Sequence, residues 1–474
     1  MKKKILLIIL LAIMIITPIG VYADSNTEYV PTVTLEYDQS AQSMPDNIPD
    51  VGSKAVYIAN PVTGKVIYEK NAHEKMYPAS TTKILTALVT MENCEMTDTA
   101  VVSQTALDLV PEGYSNANLQ VGEEHTIEDL LYALLLPSAN EAANVLAEHV
   151  SGSVEDFAEL CNKRAKELGC ENLHFVNANG MHDENHYCSA YDLYLIAKEC
   201  QKYEVFNEIV RTKTYTIPAT EIYPEERTIK NTNELLFPGT YYYSNCTGIK
   251  TGHTTPAGEC LVASSSFDNI DLICVVLGGE LVNSKGLNDR FYDSKSLFEY
   301  TYENYSVKTL AEKGDIVATL DVGRATDETR KLEVVVDTDI STIVPNDINK
   351  ENVAATISLL DNIKAPIEEN QVLGQITIHA DGLNYTTNIV ASHEVVPIKL
   401  ILYAIFCFSC IVLAFIIFGT AAVMAGRFRK FVVAIEIIAL IGAGIIVYPY
   451  IQNIMDDSVK ITSLAPNVTM DQTQ

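Results

Sequence analysis

The sequence predicts an α/β layer fold on a mainly antiparallel sheet, followed by a small all-β domain and C-terminal transmembrane helices. Three observations carry this expectation. Strand-length apolar runs at 55–59, 65–68, 259–264 and 272–279 flank a middle stretch with helical periodicity. From about Tyr305 the pattern changes to short alternating runs, such as 331–336 and 371–378, between polar turns. Residues 400–426 then carry no charge and are long enough to cross a bilayer.

In chain order, Lys2, Lys3 and Lys4 precede an apolar stretch over 5–16, and Val21-Tyr22-Ala23 stands before Asp24 as a small-x-small cleavage site. Residues 1–23 read as a signal peptide, with an uncleaved anchor as the alternative. Residues 24–49 are a polar linker. Across 50–300, the runs around Asn60-Pro61-Val62-Thr63-Gly64 form a hairpin. Ile84, Leu85, Leu88 and Met91 fall at helical spacing after Pro78 and Ser80. Thr126 with Asp129 three residues on is a capping box before an apolar helix that Pro137 ends. Helices are expected over 141–150, 157–168 and 190–200, with a turn at Asn177-Ala178-Asn179-Gly180.

A small β domain spans 305–395 and a first membrane span 398–426. Arg427, Arg429 and Lys430 follow, and such a cluster is expected on the cytoplasmic side. Residues 431–449 are apolar except Glu436, so a return span is expected, with an interfacial helix as the alternative. Residues 450–474 are a tail.

The chain has 474 residues, enough for two or three domains. Lys and Arg number 33 against 61 Asp and Glu, a net charge of −28, which excludes nucleic acid as a partner. Of ten cysteines, only Cys407 and Cys410 have C-x-x-C spacing, and they lie inside an apolar span. No metal site is indicated. The pairing of the other eight stays open.

Three short motifs occur once each and in this order: Ser80-x-x-Lys83, Ser138-x-Asn140 and Lys250-Thr251-Gly252. A lysine one turn after a serine can reach its hydroxyl, and a desolvated amine can take its proton. Singly, each serine is equally a helix cap. Together, on an expected helix, loop and strand, they form the set found in class A β-lactamases and penicillin-binding proteins, with alanine where the middle motif usually has aspartate.

On these residues, the stretch from 50 to 395 resembles the serine D-Ala-D-Ala carboxypeptidases, low-molecular-mass penicillin-binding proteins of the penicillin-binding protein 5 type (peptidase family S11). Phe175-Val176-Asn177-Ala178-Asn179-Gly180-Met181, His253-Thr254, residues 272–279 and Asn288-Asp289-Arg290-Phe291 are similar to stretches of that family, as are 363–367 and 372–374 in its small β domain. The resemblance implies a penicillin-binding/β-lactamase-like catalytic domain without a cofactor. It implies that Ser80 attacks the bond between the two terminal D-alanines of a peptidoglycan stem peptide, that Lys83 is the base and that Ser138 bridges the lysines and relays a proton. Asn140 would hold Lys83 and the substrate amide. Lys250, Thr251 and Arg290 would face the substrate carboxylate, Arg290 having a surface ion pair as its alternative. Gly252 would let ligand backbone approach, and the backbone N–H groups of Ser80 and His253 would form an oxyanion hole. β-Lactams are the implied inhibitors. The rivals are a β-lactamase, a transpeptidase or endopeptidase of the same superfamily, and a silent peptidoglycan-binding scaffold. The family pattern often ends in one amphipathic anchoring helix, whereas this chain has one or two apolar spans.

Overall fold

The computed structural model describes residues 47–350, 353–398 and 458–471, together with positions 409, 411, 434 and 438. The signal peptide, most of the linker and the two expected spans lie outside the described residues. Among the described residues no helix is long and apolar enough to cross a membrane.

Strands β1 (Ala55–Ala59), β2 (Val66–Lys70), β3 (Cys246–Thr254), β4 (Gly258–Phe267) and β5 (Ile270–Gly279) form an antiparallel sheet in the order β2-β1-β5-β4-β3. Both faces of this sheet are covered. Tyr57, Ile273, Val275 and Leu277 enter one core with the helices of the middle of the chain. Val56, Ile58, Leu272, Cys274 and Val276 enter a second core with Phe291, Leu297 and Phe298. This two-sided burial is why 272–279 reads as a continuous apolar run instead of an alternation.

Helix α1 (Lys83–Asn93) is buried over Lys83–Met91 and packs with α2 (Ile127–Leu135), α3 (Asn140–Ser151), α4 (Val154–Glu167) and α5 (Ala190–Cys200). The expected cap is present: the Asp129 N–H donates to Thr126 Oγ1, and the Thr126 hydroxyl donates to the Asp129 carboxylate. Ser189 and Asp192 form a further capping box at α5. On the other face of the sheet lies α6 (Asp289–Asn304), which the apolar periodicity did not announce.

The β domain contains β7 (Ile316–Val322), β8 (Lys331–Val336), β10 (Ala354–Leu359), β11 (Val372–Ala380) and β12 (Leu383–Ala391) in one sheet. Beside it lies the ribbon of β6 (Tyr305–Ala311) with β9 (Ile340–Pro345). Leu332, Val334 and Val336 alternate into a core with Leu320, Ile376, Ile378 and Ile389. Two strands of this sheet come from residues read from the sequence as tail: β13 (Val459–Leu464) and β14 (Val468–Met470). The eight described cysteines are free thiols.

One buried ion pair joins the catalytic and β domains. Lys65, after the β1–β2 turn, reaches the Asp381 carboxylate at 2.6 Å and its backbone carbonyl at 3.0 Å, in the turn between β11 and β12. Both side chains are almost wholly inaccessible. Burial pulls the Lys65 pKa down, against the opposing pull of Asp381. Lys65→Met should therefore destabilise the full chain in detergent by about 3–5 kcal/mol, because it leaves a buried carboxylate without its cation. Adding Asp381→Asn should restore part of the loss, as read from the unfolding midpoints of both variants.

Candidate active site

After Pro78 the chain enters a tight 3-10 turn, Ala79–Thr82, that runs directly into α1. Ser80 is half-buried in this turn. Ala79 sits at φ 48°, a left-handed conformation that costs a non-glycine residue on the order of 1 kcal/mol or more. Side-chain hydrogen bonds hold it there. Thr81 Oγ1 donates to Pro78 O at 2.7 Å, and Thr82 Oγ1 donates to Ala79 O at 2.8 Å.

The Thr82 hydroxyl is in turn fixed by His186, whose Nε2 lies 2.8 Å from Thr82 Oγ1. His186 Nδ1 accepts from the Val176 N–H at 3.1 Å, so the ring proton belongs on Nε2 and is donated to Thr82. Burial pushes the His186 pKa down to about 3, and the ring stacks on Phe175 at 4.5 Å. Gly180 closes the arrangement from below. A Cβ there would lie 2.0 Å from Ala79 O, and the residue has φ +81°.

Lys83 is fully buried. Its Nζ touches Ser80 Oγ at 3.1 Å and Asn140 Oδ1 at 2.8 Å, and it donates to the carbonyl of Asn179. Burial, and then repulsion from Lys250, hold its pKa well below the usual lysine value; Glu141 pulls the other way. Two donors of a neutral amine satisfy the Asn140 and Asn179 oxygens. Its lone pair then points at the Ser80 hydroxyl.

Asn140 opens α3, and its Nδ2 donates to Ser115 O at 3.0 Å, which fixes the Oδ1 that receives Lys83. Ser138, at φ 69°, is buried, and its Oγ has no hydrogen-bond partner. The bridge expected between the two lysines is therefore not formed in this structure.

Lys250, Thr251, Gly252 and His253 lie on β3, the edge strand of the sheet. Lys250 is buried, and its Nζ donates to Thr251 O at 3.1 Å. Burial, reinforced by Arg290, lowers its pKa to about 7. Thr251 Oγ1 lies 2.6 Å from Thr232 Oγ1. The expectation for Gly252 needs correction. A Cβ there would lie 2.9 Å from Pro78 O and 3.1 Å from the backbone nitrogens of Ser80 and Thr81. The close approach it permits is that of the chain's own serine turn, not that of a ligand.

The Arg290 alternatives also change. Its Nη1 reaches Glu259 Oε2 at 2.8 Å and Gly252 O at 3.2 Å, so it belongs to a buried pair and not a surface one. Arg290 Nε is buried without a partner. Glu259, which sequence reasoning passed over, is 2 % exposed and gathers three groups: Arg290, Asn288 Nδ2 at 3.0 Å and His253 Nδ1 at 2.8 Å. Its signal was available, as the one charged residue inside an apolar strand run, directly across from His253 in register. His186, Thr82 and Asn179 were also missed as site residues, because they act through the turn and not through a motif.

The neutral His186 ring makes the site acid-sensitive. Its pKa is lower in the folded chain than the ordinary value near 6.5, so the stability it contributes is present above about pH 6.5 and is lost as pH falls toward 3. His186→Ala should lower kcat with a small change in KM, and His186→Gln, which keeps a donor for Thr82, should recover more activity. Chemical-denaturation midpoints between pH 7 and 4 should fall less steeply in both variants than in the parent.

Comparison with known proteins agrees with this geometry. Residues 39–280 match the family model described as D-alanyl-D-alanine carboxypeptidase (peptidase S11), and 305–397 match the penicillin-binding protein 5 C-terminal domain. D-alanyl-D-alanine carboxypeptidase DacF of Bacillus subtilis is 33% identical over 347 residues, covering 72% of this chain and 85% of that protein. DacA of Escherichia coli K12 is 28% identical over 355 residues, covering 73% and 84%. The crystal structure of penicillin binding protein 5 from Haemophilus influenzae superposes with a TM-score of 0.58 at 26% identity, covering 74% of this chain and all of that one. A buried lysine against a serine turn, beside a Lys-Thr-Gly edge strand and ahead of the matching β domain, places this chain in the D-alanyl-D-alanine carboxypeptidase family S11.

Proposed function

We propose that this chain is a serine-type D-Ala-D-Ala carboxypeptidase of the cell wall that removes the C-terminal D-alanine from peptidoglycan stem pentapeptides. The observation that carries the reading is the buried Lys83 amine, 3.1 Å from Ser80 Oγ, with its pKa pulled down by burial and by Lys250.

In this mechanism Ser80 Oγ attacks the carbonyl carbon of the penultimate D-alanine while its proton passes to Lys83 Nζ. The developing oxyanion faces the backbone N–H groups of Ser80 and His253. Collapse of the tetrahedral intermediate breaks the C–N bond. The proton reaches the leaving amine through Ser138, whose buried hydroxyl has no competing partner. Water then attacks the ester, Lys83 again taking a proton, and releases the shortened peptide.

An extended substrate lies along edge strand β3. Its terminal carboxylate meets Lys250, Thr251 and the guanidinium of Arg290, which Glu259 holds in place. β-Lactams inhibit by acylating Ser80. The signal-like segment 1–23 and the apolar runs after residue 398 support an exported enzyme held at the outer face of the cell membrane.

A second reading has one specific support. A relative of solved structure, 31% identical with a TM-score of 0.50, is described as the Streptomyces K15 DD-transpeptidase. The same acyl-enzyme would then be resolved by an amine.

Full-length chain in detergent should release free D-alanine from a peptide ending in Lys-D-Ala-D-Ala, and Ser80→Ala should release none. Silence of the wild type would sink the reading, whereas a new peptide bond to added glycine in place of hydrolysis would favour the transpeptidase.

The pH dependence has two limbs. Activity should rise as Lys83 loses its proton, and kcat/KM should fall above about pH 7 as free-enzyme Lys250 loses its charge. Arg290→Gln removes a repulsion on Lys250, so it should move the alkaline limb to higher pH while raising KM about tenfold or more through loss of a carboxylate contact. An unmoved limb would show that Lys250 does not titrate there.

A further inference from the structure

The residues at which the described chain leaves and re-enters the β domain lie side by side. On departure, Pro397 bridges Ala325, and the Ile398 N–H donates to Arg324 O at 2.8 Å. On return, the Gly323 N–H donates to Ser458 O at 3.1 Å, and Val459 pairs with Val322. Consecutive residues of one turn, Gly323 and Arg324, therefore hold the two ends of the stretch 399–457.

The returning chain is built into the domain. β13 runs antiparallel along β7, from Val322↔Val459 to Ala318↔Leu464. After 465–467, β14 runs parallel to β10, with Ala355↔Val468 and Ile357↔Met470. The sheet order is β13-β7-β8-β12-β11-β10-β14, so these two strands cover both of its edges. Val459, Val468 and Met470 pack against the domain's core. Without them, β7 and β10 would each present an open row of backbone donors and acceptors.

The sequence between the two ends has a particular charge layout. The uncharged run 400–426 and the run 431–449, with only Glu436, are each long enough for a bilayer's hydrocarbon core, which takes about 20 helical residues. Arg427, Arg429 and Lys430 stand between them, and Asp456 and Asp457 come just before the return. Cations at the bend and acids at the re-entry are the arrangement that retains the bend in the cytoplasm.

We propose that residues 399–457 form a hairpin crossing the lipid bilayer twice, and that the C-terminal strands return to the outer face to complete the β domain's sheet. A single crossing would strand 458–471 in the cytoplasm, across the membrane from the edges they cover. The proposal rests on the membrane-tether reading above and adds a consequence. The turn at 323–325 faces the bilayer, and the β domain reaches its final sheet only after the second crossing is made.

The test uses the full chain in spheroplasts, with Lys460→Cys or Arg429→Cys treated with a membrane-impermeant maleimide and the unsubstituted chain as background. The thiol from Lys460→Cys should react in intact spheroplasts, and that from Arg429→Cys only after permeabilisation. A Thr319→Cys/Ser463→Cys pair, opposed in register, should crosslink under oxidation in the same membranes. A position-460 thiol that reacts only after permeabilisation, or a position-429 thiol that reacts from outside, overturns the double crossing, as does failure of the pair to crosslink. Release of the whole chain by alkaline carbonate overturns the tether reading itself and leaves D-alanine release unaffected, which separates the two failures.

Discussion

The constraint on which the catalytic half depends is the burial of one amine against one hydroxyl. A lysine removed from water loses much of its preference for the charged form, and Lys83 is enclosed completely. It is made tolerable there by two oxygen acceptors, from Asn140 and from the backbone of Asn179. Those acceptors come from elements far apart in sequence. The helices and the 176–181 loop must therefore all be in place before the amine can be held neutral and aimed at Ser80. The packed core on that face of the sheet is the scaffold that enforces this.

A second consequence is crowding. The serine turn is pressed between Gly180 below and Gly252 on the edge strand, and at both places a methyl group would collide with its backbone. The chain from His186 through Thr82 to Ala79 then locks the left-handed residue before the serine. On the far side of the cleft, Glu259 ties His253, Asn288 and Arg290 into one cluster beside Lys250. Cations that would otherwise repel each other are thus arranged around a buried carboxylate, leaving an electropositive edge strand in an otherwise acidic protein.

Much of this was legible in the sequence because it is periodic or local. The capping pair Thr126 and Asp129, the continuous run 272–279, the alternation 331–336 and the order of the three motifs each have a short-range signature. What was not legible depends on contacts distant in sequence. Gly252 reads as an opening for a ligand until the serine turn is seen against it. Glu259 carries meaning only once its strand is paired and α6 delivers Arg290. Helix α6 hides because its apolar face is thin, with aromatic and polar residues interleaved. The strands β13 and β14 read as tail because short edge strands borrow their definition from the sheet they join.

The central claim is that Ser80 is acylated and that a neutral Lys83 makes it reactive. The most direct measurement is the rate of covalent labelling of the full chain by benzylpenicillin as a function of pH, with mass-spectrometric mapping of the modified residue, in wild type and in Lys83→Met. The account predicts one adduct, on Ser80, whose rate rises through a pKa well below that of an ordinary lysine, and a loss of labelling of about a hundredfold or more without Lys83. An adduct elsewhere, or undiminished labelling of Lys83→Met, would contradict it.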